Sequence, residues 1–503
     1  MKRLLKQSII GLSMAAMAGC TTLGPDYQPP EVDVPQQWQT SLEEIAAVAD
    51  TQWWKLFNDP VLDELIRLAL ENNRDLRRAA ARIREYVARV DIARSGLYPN
   101  LGYGANAARS QGSRNTPGAA PDGMSRVGDS YQAALSVGWE LDLWGSIQRG
   151  TEAARANLLG AEHGRRALVL SLVSSVATAY IELLSLDRQL EIARNTLKRR
   201  AENVDLFRLQ FEGGVVSELE VAQARAEYET TAILMPAIEQ QIRITEFNLS
   251  VLLGRNPGAI VRHASIDDLV LPQVPGDLPS QLLLQRPDIL QAEQDLIAAN
   301  ALIGVARAAY FPRISLTGLL GLASAELSTL LDGASGIWNA GAAMAGPIFS
   351  GGELDARLRV SEAVQQQLLQ AYLSTIQRAF SDVDKALISA QKLREVLDAS
   401  KRQVSALKDY TRYARERYDE GYVSYIEVLD AERRLFDAEL EYTKRQGNSY
   451  VALVAIYRAM GGGWVGTAEA VADAVDFPAK DAGEPRRWWD YPPATEPASK
   501  KQP

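Results

Sequence analysis

Gly214-Val215-Val216-Ser217-Glu218-Leu219-Glu220-Val221 recurs 207 residues later as Gly421-Tyr422-Val423-Ser424-Tyr425-Ile426-Glu427-Val428. Each octapeptide reads as the turn of a helical hairpin. Gly214 and Gly421 can supply the left-handed residue that closes the preceding helix. Ser217 and Ser424 stand three residues before Glu220 and Glu427, the spacing of a capping box. Val216 and Val423 precede the caps, while Val221 and Val428 hold the fourth helical position, so each turn also carries a hydrophobic staple.

Working outward, the same plan appears twice. Ala93-Arg94-Ser95-Gly96-Leu97-Tyr98-Pro99 recurs as Ala306-Arg307-Ala308-Ala309-Tyr310-Phe311-Pro312, and Asp142-Leu143-Trp144-Gly145 parallels Pro347-Ile348-Phe349-Ser350-Gly351. Matched blocks in one order, at a period far longer than a solenoid repeat, mark a duplicated domain. The first repeat spans 61–260, with helices near 62–95, 148–211 and 218–253 and strands near 101–109 and 131–141. A linker at 261–285 leads to the second repeat, 286–464, with helices near 286–309, 353–420 and 424–460 and strands near 313–322 and 337–347. The second long helix carries apolar or small residues at Leu354, Leu358, Ser361, Leu368, Tyr372, Ile376, Ala379, Val383, Leu387, Ala390, Leu393 and Leu397. Those spacings of three and four form a coiled-coil-like seam. About 65 residues at 1.5 Å each make a helix roughly 100 Å long, so the molecule is expected to be a helical rod.

Between the helices the period falls to two. Tyr131, Ala133, Leu135, Val137, Trp139 and Leu141 alternate with mostly polar or small residues, and Leu101, Tyr103, Ala105 and Ala107 share one face of the preceding strand. The loop between them, 110–129, is rich in Gly, Ser, Asn and Pro. Such strands suit either a soluble β-domain or an outer-membrane barrel. In a bilayer an open sheet edge is not tolerated, so four strands require further copies of the chain. Two copies give eight strands and a filled interior; three give twelve and a lumen.

The N-terminus favours export. Lys2, Arg3 and Lys6 precede a short apolar stretch, Ile9 to Ala18, and then Ala18-Gly19-Cys20. The stretch is too short to span a bilayer and reads as a lipoprotein signal, cleaved and acylated at Cys20, with Met17 where such signals usually have Leu. Removing residues 1–19 takes the net charge from −9 to −12. Thr21, rather than Asp, follows the cysteine and favours the outer membrane. Residues 20–60 read as an extended strap bearing Pro25, Pro29, Pro30, Pro35, Trp38, Trp53 and Trp54, and 465–503 as a tail. No later segment reads as a transmembrane helix.

Composition narrows the classes of function. The 503 residues are 47% hydrophobic and 23% charged, a globular balance that by length alone suits about three domains or one elongated fold. The acidic charge disfavours a general nucleic-acid partner. One cysteine excludes an internal disulfide, and two histidines, His163 and His263, exclude a multi-histidine metal centre. No nucleophile elbow, phosphate loop or dinucleotide fingerprint occurs, so neither an enzyme nor a cofactor is expected. A non-conducting lipoprotein scaffold or adhesin built on the same rods remains the rival reading.

Signal, duplication, four strands and paired capped tips together resemble the TolC-like outer membrane factor family, and Cys20 with Gly24-Pro25-Asp26-Tyr27 resembles its lipoprotein branch, which serves resistance-nodulation-division multidrug efflux pumps. The resemblance runs from Cys20 to about 464. It implies a mostly α fold with a membrane β contribution: a homotrimer with a 12-stranded β-barrel in the outer membrane and a long α-helical barrel through the periplasm. It also implies a periplasmic adaptor docked at the hairpin tips (Gly214, Val216, Ser217, Gly421, Val423, Ser424) and an inner-membrane transporter that supplies the energy. The chain would then be a passive exit duct, with no indication in sequence of what it exports.

The family narrows at its periplasmic end, which falls here on Tyr425-Ile426-Glu427-Val428-Leu429-Asp430-Ala431-Glu432-Arg433. Ile426 and Asp430, four apart, share a helix face. In threefold symmetry they make an apolar ring and a carboxylate ring, with Arg433 as a local partner. Asp430 and Arg433 read equally as an ordinary solvated helix pair. The first repeat has Gln223 in place of Asp430, so the two halves are not equivalent there.

Overall fold

A computed structural model describes residues 22–35, 38, 45–46, 52–113, 115, 125–270, 274–275 and 285–461. Cys20, the signal, the C-terminal tail and most of the loop after the first strand lie outside the described residues. The first repeat comprises α1 (Pro60–Asn72), α2 (Arg74–Ser95), β1 (Asn100–Gln111), β2 (Val127–Leu141), α3 (Ser146–Glu212) and α4 (Glu218–Leu252). The second comprises α5 (Pro287–Ala308), β3 (Arg313–Ser324), β4 (Gly336–Ala345), α6 (Glu353–Asp419) and α7 (Tyr425–Ala459).

The helix expected over 62–95 is two helices. Asp59 caps α1, accepting from the Val61 N–H at 2.8 Å, with Pro60 at the first helical position where no N–H is needed. Asn73 then breaks the run: its side chain accepts from the Asp75 and Leu76 N–H groups and restarts the chain as α2. The strap expectation also needs correcting at its far end. Trp53, Trp54 and Phe57 form a 3-10 turn and are buried, with Trp53 stacked on Tyr457 at 5.1 Å.

These aromatics belong to the largest core. Leu62, Ile66 and Ala69 of α1 pack there against Val173, Ala177 and Ile181 in the middle of α3, with Leu249 of α4 and Tyr450 of α7. The Tyr180 hydroxyl donates to Asp59 at 2.7 Å, so the α1 cap also secures the middle of α3. By length and composition α3 is apolar enough to cross a bilayer, contrary to the sequence expectation. Its apolar stretch is instead interior, because helices from both repeats cover it. A second core joins Ile289 and Leu296 of α5 to Tyr372, Ile376, Ala379, Val383 and Leu387 of α6. Those five α6 residues belong to the seam visible in the sequence.

α3 and α6 each contain 67 residues, about 100 Å of helix, whereas α4 and α7 contain 35 each. Each long helix is therefore paired in two stages. The Gly160 and Gly164 end of α3 lies on α5, and its far end lies on α4 and α7.

The four strands form one antiparallel sheet in the order β1-β2-β3-β4. Its register places Leu101, Tyr103, Leu135, Val137, Trp139, Leu316, Leu320, Trp338 and Met344 on one face. The other face carries Asn100, Gly102, Asn106, Gln132, Ser136, Glu140, Ser315, Thr317 and Asn339. Tyr103, Leu135, Leu320, Trp338 and Met344 of the apolar face are exposed in the single chain. Among the described residues the outer edges of β1 and β4 pair with no strand.

Candidate functional site at the hairpin tips

Both turns close as their glycines require. Gly214 and Gly421 have φ of +73° and +81°. The Gly214 N–H donates to Phe211 O and the Val215 N–H to Gln210 O; Gly421 to Tyr418 O and Tyr422 to Arg417 O repeat the pattern at 2.9 Å. This is the Schellman arrangement, which satisfies the last carbonyls of each long helix.

The two caps differ. Ser217 forms the full capping box: its hydroxyl accepts from the Leu219 N–H, and Glu220 accepts from the Ser217 N–H at 3.0 Å. The expected second box does not form. The Ser424 side chain makes no capping hydrogen bond, and the Glu427 N–H donates to the Ser424 carbonyl at 3.1 Å. Glu427 turns instead to Arg417, 3.7 Å away across the hairpin. Val216 and Val221 pack at the tip core, as a staple should; at the second turn Val428 is fully buried and Val423 is partly exposed.

That tip core is where the two hairpins meet. Phe207 of α3, Ala224 of α4, Ala414 of α6 and Tyr425, Val428 and Ala431 of α7 are buried together. The Phe207 and Tyr425 rings approach to 4.1 Å, and Tyr418 stands 5.3 Å from Tyr425 on the other side. Tyr425 is 6% exposed, and its hydroxyl finds no hydrogen-bond partner among the described residues. Burial, with the Glu432 carboxylate nearby, pushes that hydroxyl's pKa upward, so it stays protonated.

Ile426 and Asp430 share the face of α7 that their spacing implies. Ile426 is 58% exposed. Asp430 binds Arg433 Nη2 at 3.1 Å, the partner expected from sequence, and also Arg434 Nε at 2.8 Å. Arg434 is a partner beyond the one expected from sequence, and its spacing of four residues from Asp430 is itself a pairing signal.

Deeper in, a cavity of about 340 Å³ is lined by Arg199 and Arg200 of α3, Lys408 and Arg415 of α6, and Glu432 and Phe436 of α7, among others. Arg200 is buried; it donates to the Glu227 carbonyl and the Thr231 hydroxyl, both at 2.6 Å, and lies 5.3 Å above the Phe436 ring. Burial raises the Glu432 pKa, opposed by Arg415 at 3.0 Å. The charges are arranged to hold helices together. Among the described residues no group of acidic, histidine or cysteine side chains could hold a metal.

The family model of outer membrane efflux proteins matches residues 65–255 and 278–462, two spans that fall on the two repeats. The chain is 36% identical over 454 residues to the probable outer membrane lipoprotein SilC of Salmonella typhimurium, covering 89% of this chain and 97% of that one. It is 37% identical over 474 residues to the probable efflux pump outer membrane protein TtgC of Pseudomonas putida, covering 91% and 96%. The crystal structure of the CmeC outer membrane channel of Campylobacter jejuni superimposes with a TM-score of 0.83 at 26% identity, covering 91% of this chain and 99% of that one. With a duplicated helical hairpin, an apolar-faced sheet and matches of this extent, the chain belongs to the outer membrane efflux protein family and is an outer-membrane efflux channel.

Proposed function

We propose that three copies of this chain form the passive exit duct of a tripartite efflux pump, narrowed at its periplasmic tip. The observation that carries this reading is the open sheet. Its apolar face suits lipid, and its β1 and β4 edges, unpaired among the described residues, suit each other in neighbouring copies. Three copies make twelve strands, enough to leave a lumen, whereas eight would be filled by side chains. The helices then continue the duct for about 100 Å through the periplasm.

Ile426 and Asp430 form the constriction in this reading, with Arg433 restraining the carboxylate. The tips at Gly214, Val216, Ser217, Gly421, Val423 and Ser424 receive a periplasmic adaptor, which couples the duct to a resistance-nodulation-division transporter in the inner membrane. Cys20 carries the lipid that anchors the chain in the outer membrane. The duct uses no cofactor, because it only guides diffusion.

Planar-bilayer conductance of the purified protein, wild type beside Asp430→Ala, tests the reading. A low, cation-favouring conductance that rises in the variant is expected. Conductance unchanged by the substitution would move the constriction elsewhere. Insertion without conductance in either protein would leave a scaffold.

A further inference from the structure

The N-terminal strap meets the helices at the foot of the sheet. The Leu23 N–H donates to the Trp144 carbonyl at 3.2 Å, at the junction of β2 and α3. Trp144 stacks on Phe311 at 4.7 Å and donates from Nε1 to the Pro312 carbonyl at 2.7 Å, at the junction of α5 and β3. The strap therefore starts where the strand–helix junctions of both repeats come together.

Arg149, in the first turn of α3, holds it there. Its side chain is 6% exposed, and most of its partners are strap atoms. Nε donates to Leu23 O at 3.2 Å, and Nη2 to Gly24 O at 3.5 Å and Asp26 Oδ1 at 2.6 Å; Nη1 binds Glu152 at 2.8 Å. A buried guanidinium needs this set of acceptors, and its planar fork matches them as an ammonium would not. From α5, Asn300 donates to the Pro25 carbonyl at 2.9 Å.

The fit is close enough to exclude side chains. A Cβ on Gly304 of α5 would stand 2.5 Å from Leu23 O, and one on Gly24 would stand 2.5 Å from Gly304 Cα. At Gly145, φ is +72° and a Cβ would stand 2.7 Å from Thr22 Cγ2. In sequence Cys20 stands two residues before Thr22, a reach of at most roughly 7 Å of extended chain from Thr22.

We propose that Arg149 is a positioning residue that clamps residues 22–27 across the α3–α5 seam, so that a lipid on Cys20 enters the membrane at the sheet foot, at a fixed depth relative to the strands. The strap is then a rigid spacer between lipid and barrel. The inference deepens the lipoprotein reading of Cys20 and rests on it.

The test compares Arg149→Met and Gly304→Ala with their parent in two full-length backgrounds. One is acylated; the other carries Cys20→Ser behind an ordinary cleavable leader. The measured quantity is the yield of membrane-inserted oligomer, expressed as the ratio of each variant to its parent. The N-terminal mass reports acylation, and limited proteolysis of the helical body reports folding. In the acylated background both variants should lose yield several-fold while the helical body stays resistant; without the lipid each ratio should return close to one. Equal ratios in both backgrounds, or no loss with the lipid present, would overturn the proposal. Digestion of the helical body in Arg149→Met leaves the decision to Gly304→Ala, a substitution that favours helix and whose Cβ would meet Leu23 O and the Arg149 stem, so its loss of yield reports the strap together with its clamp. A wild-type mass without acyl groups would instead overturn the lipoprotein reading.

Discussion

Asp430 is held from two sides, by Arg434 Nε at 2.8 Å and Arg433 Nη2 at 3.1 Å, so the carboxylate on the exposed face of α7 is partly neutralised before any neighbouring copy is considered. Replacing Arg434 with Ala leaves that carboxylate with one arginine. If three copies line a pore, the variant should favour cations over anions more strongly than wild type. Reversal potentials across a salt gradient measure this, and replacing both arginines should enlarge the shift.

The unlike caps give opposite expectations for the same substitution. Ser217→Ala removes a formed capping box and should cost about 1 kcal/mol of hairpin stability. Ser424→Ala removes a hydroxyl that caps nothing and should be nearly neutral. Hydrogen exchange at the first turns of α4 and α7 separates the two.

At the turns, no atom lies within 4 Å of a Cβ built on Gly214 or Gly421, so only backbone conformation penalises a substitution. Asn, which tolerates the left-handed region, should be accepted at either position. Val should cost about 1–2 kcal/mol and, if the tips receive an adaptor as proposed, weaken that docking. Hairpin stability of the two variants, followed by denaturant unfolding, is the measurement.

Phe207 and Tyr425 bring the hairpins into ring contact at the centre of the tip core. Phe207→Ala should loosen the tips by about 3–5 kcal/mol, as expected for a buried aromatic. Tyr425→Phe removes a buried hydroxyl without a partner and should be neutral or stabilising. Protease sensitivity of the tips distinguishes these outcomes.

Glu246 of α4 is 2% exposed and binds Arg262, Arg243 and the Ile260 N–H. Burial pushes its carboxyl up, but those hydrogen bonds outweigh burial and hold it below the ordinary glutamate range. A depressed folded-state pKa contributes stability above the unfolded value, about 4.3, and that contribution is lost as pH falls through the folded value. Unfolding should therefore ease in acid below about pH 4, and Glu246→Gln should flatten that part of the pH profile at a cost near neutrality. Denaturant midpoints from pH 3 to 7 test the sign.

The parts of this fold that were legible in the sequence are those with local causes. Gly214 and Gly421 end helices because of their own backbone freedom, and the alternation from Tyr131 to Leu141 follows from the pleat. Asn73 was missed because a cap inside a continuous apolar period is visible only through the hydrogen bonds it makes. Ser424 misled for the reciprocal reason: its motif is intact, but Arg417 on the facing helix competes for Glu427. Trp53 reads as a strap residue in the sequence because its stacking partner, Tyr457, lies about 400 residues away in the chain. Arg434 and Arg200 act through neighbours that spacing alone could only suggest.

The open edges of β1 and β4 also have a genetic consequence. A closed ring of identical subunits is only as sound as its worst seam, so a variant chain that spoils one edge opens one junction and disables its wild-type partners with it. With equal co-expression and random mixing in threes, roughly one assembly in eight would be free of the defective chain. Edge variants should therefore be dominant over the wild-type gene, whereas losses that keep a chain from reaching the membrane should be recessive.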